Sequence, residues 1–160
     1  MLPLEEGSSR ARWEPWLTDA NVTVPDEYRA LAAGISTMIV FDYVTANWDR
    51  WSGANVAEDG ATGKLLYVDN DGAFYEAPPA DALARQLGLL RRVRRFSRRF
   101  VEALRAMTGQ SMRDAIGEES PGVPLLDDRV LAAADARRGT ALKTIDARLG
   151  DAGEGATLVF

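Results

Sequence analysis

A chain of 160 residues, 46% apolar and 27% charged, suits one globular domain with a substantial core. Its net charge of -5 excludes a general nucleic-acid or anionic-membrane binder, which would be basic. With neither cysteine nor histidine it also excludes disulfides, the usual zinc sites and every Ser/His/Asp or Cys/His scheme, which leaves acid–base work to Asp, Glu, Lys, Tyr or a bound metal.

Residues 1–24 read as an irregular lead-in segment, punctuated by Pro3, Pro15 and Pro25 and anchored by Trp13, Trp16 and Leu17. The acidic, polar start has no signal-peptide pattern, and no apolar run approaches the roughly 18 residues of a membrane span, so the sequence predicts a cytoplasmic protein. Pro25, with Asp26 and Glu27 in the first turn, opens a helix that should end near Ala46-Asn47. Leu31, Ile35, Met38, Ile39, Val40, Tyr43 and Val44 make it apolar nearly all round, hence deeply buried. A loop, NWDRWSGAN, follows. Two short strands near 55–57 and 64–68 flank the turn EDGATG, and the second delivers the chain into Asp69-Asn70-Asp71-Gly72.

Pro78 and Pro79 then open one long predicted helix to about Met107. Leu83, Leu87, Leu90, Val93, Phe96, Phe100 and Leu104 give it a single core face. Its arginines, Arg91, Arg92, Arg94, Arg95, Arg98 and Arg99, read as a solvated face, with a seat for an acidic substrate or phosphate as the alternative. A short helix over 110–116, a loop over 117–124 and a last helix over about 127–149 complete the main domain, 25–149. The Gly-rich tail 150–160 is predicted to be mobile. The fold class is therefore mainly α with a small β-hairpin.

The chemistry concentrates between Phe41 and Phe74. A buried helix runs into a loop holding Asp49, and a tight hairpin folds back so that Asp69, at a strand end, can face the same cleft. Phosphoryl transfer from ATP needs one carboxylate to take the acceptor's hydroxyl proton and another to hold the magnesium that bridges the phosphates. An amide commonly completes the metal shell, and Asn55 is placed for that role. Two other motifs fail. In GATGK a P-loop would need Gly at Glu58 and Ser or Thr at Leu65, and a calcium loop over DNDG would have Tyr67 at its first position and Pro78 at its twelfth.

The segments FDYVTANWDR and LLYVDNDGAF resemble the Golgi casein kinase, glycosaminoglycan xylosylkinase and four-jointed family of secretory-pathway kinases. The stretch LLDDRVLAAADARRGTALKTI is similar to that family's closing helix, so the resemblance spans roughly Pro25 to Leu149. The D-R and D-N pairs also look like the more distant HipA and phosphatidylinositol kinases. The resemblance implies the large lobe of an atypical protein-kinase-like fold. Asp49 takes the place of the catalytic Asp and Asp69 that of the metal-binding Asp, with Asn47 and Arg50 shaping the catalytic loop. Asn55 is implied as nucleotide-side metal ligand, one residue later than in HipA-like kinases, an offset that a bulge at Ser52-Gly53 would absorb. Trp51 stands where relatives often carry His. Trp48 and Trp51 read as packing residues rather than stacking platforms.

The chain departs from the family upstream. About 46 residues precede the catalytic loop, without a Gly-rich phosphate loop or strand lysine, so the small lobe is expected to be missing or vestigial, or supplied by an upstream or separate segment. The function implied is a phosphotransferase dependent on Mg or Mn, with ATP as donor and a hydroxyl-bearing protein or sugar as acceptor. The alternative is a non-catalytic kinase-like binding module.

Overall fold

The computed structural model describes residues 8–50 and 55–160, and of residues 8–12 the backbone alone. Helix α2 (Arg29–Thr45) is the axis around which the rest assembles, because its sequence offers almost no polar face. Ala32, Ile35, Met38, Ile39, Val40, Tyr43 and Val44 are all buried, as the sequence predicts. A single 3-10 turn (Asp26–Tyr28) leads into it from Pro25.

The lead-in is helical, not irregular: α1 (Ser8–Thr18) forms with Pro15 inside it. The proline withholds one backbone donor, but Trp13, Trp16 and Leu17 recur at helical spacing and are buried together, which outweighs that loss. Trp16 also stacks on Tyr28, ring centroids 5.0 Å apart. Residues 1–7 of the predicted lead-in lie outside the described residues. After α2, strands β1 (Val56–Glu58) and β2 (Leu65–Tyr67) pair antiparallel with Val56 opposite Tyr67, forming the expected hairpin.

The long helix expected from Pro79 is two helices, α3 (Ala80–Arg92) and α4 (Arg98–Ala106). Ser97 N-caps α4, accepting from the Phe100 amide at 3.4 Å, so the chain must be extended just before it. The extended stretch gains partners that a helix could not reach. Ser36 Oγ donates to the Arg95 carbonyl at 2.6 Å, and the Arg94 amide donates to Leu17 O at 2.8 Å. The predicted core face survives the break: Leu90, Val93, Phe96 and Leu104 are buried, with Leu83, Leu87 and Phe100 packed against them. Arg91, Arg92, Arg98 and Arg99 are exposed, whereas Arg94 and Arg95 are half-buried.

Helix α5 (Gly109–Ile116) follows, capped by reciprocal bonds between Thr108 and Ser111. Where a loop was expected, β3 (Glu118–Ser120) and β4 (Val123–Pro124) make a second small hairpin, with Gly122 at φ 78 supplying the turn. Helix α6 (Asp128–Ala152) starts at Asp127, whose carboxylate accepts from the Arg129 amide. The tail predicted to be mobile folds back onto the body of the protein. Helix α7 (Glu154–Thr157) turns it back, and Thr157 O and Phe160 accept and donate backbone hydrogen bonds with Phe96 and Arg98 at 2.7–3.3 Å. The exposed edge of the extended stretch between α3 and α4 provides those partners.

Helix α2 packs against α1, α3 and α6 in one core that also takes in Val101, Ala141 and Ile145. A smaller cluster of Met112, Leu131 and Ala134 ties α5 to α6. No described helix is long and apolar enough to cross a membrane. Leu90, with no exposed surface, sits where α3 meets this core. Leu90→Ala is expected to cost about 2–5 kcal/mol in denaturant unfolding, against under about 0.5 kcal/mol for Arg91→Ala. Equal small losses would place the core face elsewhere.

Candidate functional site

The site begins where α2 stops. Ala46 adopts a left-handed conformation, φ 56, and the chain reverses there, with the Asn47 amide donating to Asp42 O at 2.9 Å. Asn47 is fully buried and its Oδ1 accepts from the Asp49 amide at 3.3 Å, which shapes the next turn. From α3, Gln86 Nε2 donates to Asn47 O at 2.5 Å. From α6, Arg137 Nε donates to Val44 O at 2.9 Å, placing a cation on the last carbonyls of α2. The loop carrying Asp49 is thus held from three helices.

Arg50 turns back into the protein and is buried, 1% exposed. Its Nε lies 3.1 Å from both carboxylate oxygens of Asp42, two turns earlier on α2. Its Nη1 donates to the carbonyls of Asn55 at 2.8 Å and Val68 at 2.9 Å, the two residues that open and close the first hairpin. Its Nη2 donates to Asn70 Oδ1, and its guanidinium lies 5.4 Å from the Tyr67 ring centroid. One side chain therefore joins the Asp49 loop to both ends of the hairpin and to the turn after Asp69.

That turn packs directly on the Asp49 loop. A Cβ added at Gly72 would stand 3.0 Å from Asp49 Cβ and 3.1 Å from Asn47 Oδ1, so any larger residue would push against the Asp49 loop, and glycine lets the two meet without displacement. Asn47 Nδ2 reaches Asn70 Oδ1 at 3.4 Å, and the Phe74 amide donates to Thr45 O at 2.6 Å, closing the turn onto the end of α2. Asn55 is buried, and its Nδ2 donates to Asp49 O at 3.0 Å and to Asp49 Oδ2 at 3.4 Å. Asp69 itself is exposed at φ 52.

Among the described residues, non-glycine positive φ occurs at Ala46, Asp69 and Phe74, all at this one place. Such conformations are strained and persist where surrounding contacts impose them.

The electrostatics are those of crowded carboxylates. A hydrogen bond with Asp71 and the charge of Asp71 raise the Asp69 pKa above the ordinary value, with slight desolvation and the Asp49 charge adding to the effect. Asp49, Asp69 and Asp71 thus bear on one another, while the nearest guanidinium, Arg50, is committed to Asp42. Burial pushes the Asp42 carboxyl up to about 7 against the opposing pull of Arg50. Exposed carboxylates that repel each other are hard oxygen ligands suited to a small divalent cation. The described residues contain no ready-made cage of three or more acidic side chains. Any cation at Asp69 would therefore complete its shell with water or phosphate oxygens, as magnesium does.

Of the residues singled out in the sequence, Asp49, Asn47, Arg50 and Asn55 are joined by direct hydrogen bonds or chain neighbourhood. Asp69 enters the cluster through Gly72, Asn70 and its interaction with Asp49. Arg50 and Asn47 are too buried to touch a substrate; they position the loop. Trp48 is 45% exposed and is not the packing residue expected. Trp51 and the Ser52-Gly53 bulge lie outside the described residues. Lys64 sits beside Asp59 at the far end of the hairpin, away from Asp69.

Sequence reading assigned no role to Asp42, Asn70, Gly72 or Gln86. The quoted motifs contained the first three, and the unusual pairing of an Asp inside an otherwise apolar helix with the Arg of D-R was a usable signal. Gln86 carried none. No protein-family model matches the chain, and no curated protein matches it.

The crowding at Asp69 has a measurable sign. A carboxyl whose folded pKa is raised contributes stability that is present below the unfolded value of 3.8 and lost as pH rises through the folded value. Carboxyl-carbon NMR titration should find Asp69 above the ordinary range and returned toward it in Asp71→Asn. An ordinary pKa for Asp69 in the parent chain would contradict the cluster.

Proposed function

We propose that this chain is the catalytic large lobe of an atypical kinase, which transfers the γ-phosphoryl group of ATP to a hydroxyl of a protein or sugar with Mg or Mn. The observation that carries the reading is the contact at Gly72, where the turn following Asp69 meets the loop of Asp49. In-line phosphoryl transfer asks for a proton acceptor and a metal-holding carboxylate on two loops a few ångströms apart. This juxtaposition suits that need.

In this reading Asp49 orients the acceptor hydroxyl and takes its proton as the oxygen attacks the γ-phosphorus and ADP leaves. Asp69 would hold the metal ion together with Asn55, whose Nδ2 is turned to Asp49, so that Oδ1 is the atom left for coordination. When bound, that ion neutralises and orients the phosphates. Asn47 fixes the direction of Asp49 through the Asp49 amide, and Arg50 holds the two loops in register. The half-exposed Trp48 beside Asp49 offers an apolar surface to an acceptor.

The two lysines, Lys64 and Lys143, lie on the hairpin tip and on α6, and neither adjoins Asp69. A lysine on another segment or partner chain would then have to grip the phosphates. The 160-residue chain alone is expected to bind ATP weakly and to transfer phosphate at background rate in a radiolabel assay. Adding a segment with a Gly-rich loop and strand lysine should bring transfer that Asp69→Ala and Asp49→Ala each abolish. Transfer indifferent to both substitutions would defeat the reading and leave a binding module. Strong transfer by the chain alone, lost in Asp49→Ala, would show that these residues need no such partner.

A further inference from the structure

A second, basic place lies away from this site, beyond the middle of α2. A cavity of about 180 Å³ opens between the extended α3–α4 connection and the C-terminal end of α6, lined by Arg94, Arg95 and Arg148. The rest of its lining is small and apolar: Ala20, Ala152, Ala156 and Val159. It is remote from Asp49. Ser36, which bonds the Arg95 carbonyl, precedes the end of α2 by about 14 Å at 1.5 Å per residue.

Two of the three guanidiniums are held there by hydrogen bonds to the backbone. Arg95 donates through Nη1 to the carbonyls of Trp16 and Val22, each at 2.6 Å, and through Nη2 to Ala20 O at 3.0 Å. Arg148 donates to the Arg91 carbonyl. Both are aimed by neutral acceptors, which fix their direction without cancelling their charge. Arg94 is half-buried, and among the described residues its guanidinium has neither a hydrogen bond nor an ion pair. The acids nearby are few. Asp151 stands 3.9 Å from Arg148 Nη1, and Asp19 attracts Arg95 while Arg94 repels it.

A half-buried cation without a partner, beside two immobilised ones, lacks a counter-charge. Guanidiniums match the oxygens of a phosphate group through paired N–H donors, and an apolar lining excludes competing water. We propose that this cavity binds a phosphate group, carried either by inorganic phosphate or by a phosphomonoester such as phosphoserine. The site is separate from the one at Asp49 and Asp69 and does not depend on their role. Its ligand docks on the protein rather than reacting there.

The test follows the arginine Nε–Hε NMR signals of the full chain during titration with sodium phosphate, with O-phosphoserine and, as control, with sodium chloride. Phosphate or phosphoserine should shift Arg94, Arg95 and Arg148 saturably. Arg94→Gln should weaken that binding roughly tenfold or more, while Arg99→Gln on exposed α4 and Asp69→Asn leave it unchanged. Tighter phosphoserine binding would assign the cavity to a phosphomonoester, and tighter phosphate binding to the free anion. No saturable shift in the millimolar range, an equal shift with chloride, or an unaltered response in Arg94→Gln would overturn the proposal. Among the described residues the Arg94 side chain makes no hydrogen bond or ion pair, and its backbone bond to Leu17 O is kept in the variant, so the variant's fold, checked by its amide spectrum, is expected to match the parent's.

Discussion

The buried Asp42–Arg50 pair is the constraint on which the rest of the site depends. Asp42 is carried by the most buried helix of the protein, and Arg50 is the first residue beyond the Asp49 position. By pairing with Asp42, Arg50 fixes the direction of the chain after α2. By spending its remaining donors on Asn55, Val68 and Asn70, it fixes where the hairpin starts and where it returns. Such a pair adds little net stability over an apolar equivalent, because both charges lose their hydration. Removing one partner costs about 3–5 kcal/mol, because the other charge is left buried alone. What the pair provides is a single register between two loops, and register is what a two-carboxylate site requires.

Strain gathers at the same point. Ala46, Asp69 and Phe74 take left-handed backbone conformations that side chains disfavour, and each is bound by a specific contact nearby. Ala46 donates to the end of α2, Phe74 donates to Thr45, and Asp69 is followed by the turn that Gly72 lets down onto Asp49. The conformation at Asp69 keeps its carboxylate at the surface beside Asp71, and the hydrogen bond and charge of Asp71 raise its proton affinity there. Away from the site, past the middle of α2, the balance is reversed, with arginines collected around a cavity and few acids to meet them. The helix thus separates an acidic place from a basic one.

Much of this was legible in the chain. The Pro25 start, the nearly all-round apolar α2, the reversal near Ala46 and the hairpin bounded by Asn55 and Asp69 all follow from local pattern. Each local signal there agrees with the tertiary outcome. Failures came where distant contacts decide. Pro15 suggested irregular chain, but burying Trp13, Trp16 and Leu17 makes α1 a helix. The regular apolar spacing from Leu83 to Leu104 concealed the break at Val93–Ser97, although Ser97 is a recognisable N-cap. That same break creates the exposed edge which orders the Gly-rich tail through Thr157 and Phe160. In the site, the motif residues were visible, and Asp42 and Gly72 stand inside the same motifs, but the part each plays in aiming Asp49, and the presence of Gln86 at all, depend on three-dimensional proximity.

The proposed function requires that Asp49, Asn55 and Asp69 border one cleft able to hold a metal ion. Paramagnetic broadening by Mn tests it directly, since the ion relaxes nearby amides steeply with distance. Substoichiometric Mn added to the full chain should broaden the amides of Asp49, Asn55 and the Asp69–Gly72 turn together, and Asp69→Ala should remove the broadening at all of them. Broadening confined to one of the two loops, or persisting at Asp49 in Asp69→Ala, would contradict a shared cleft.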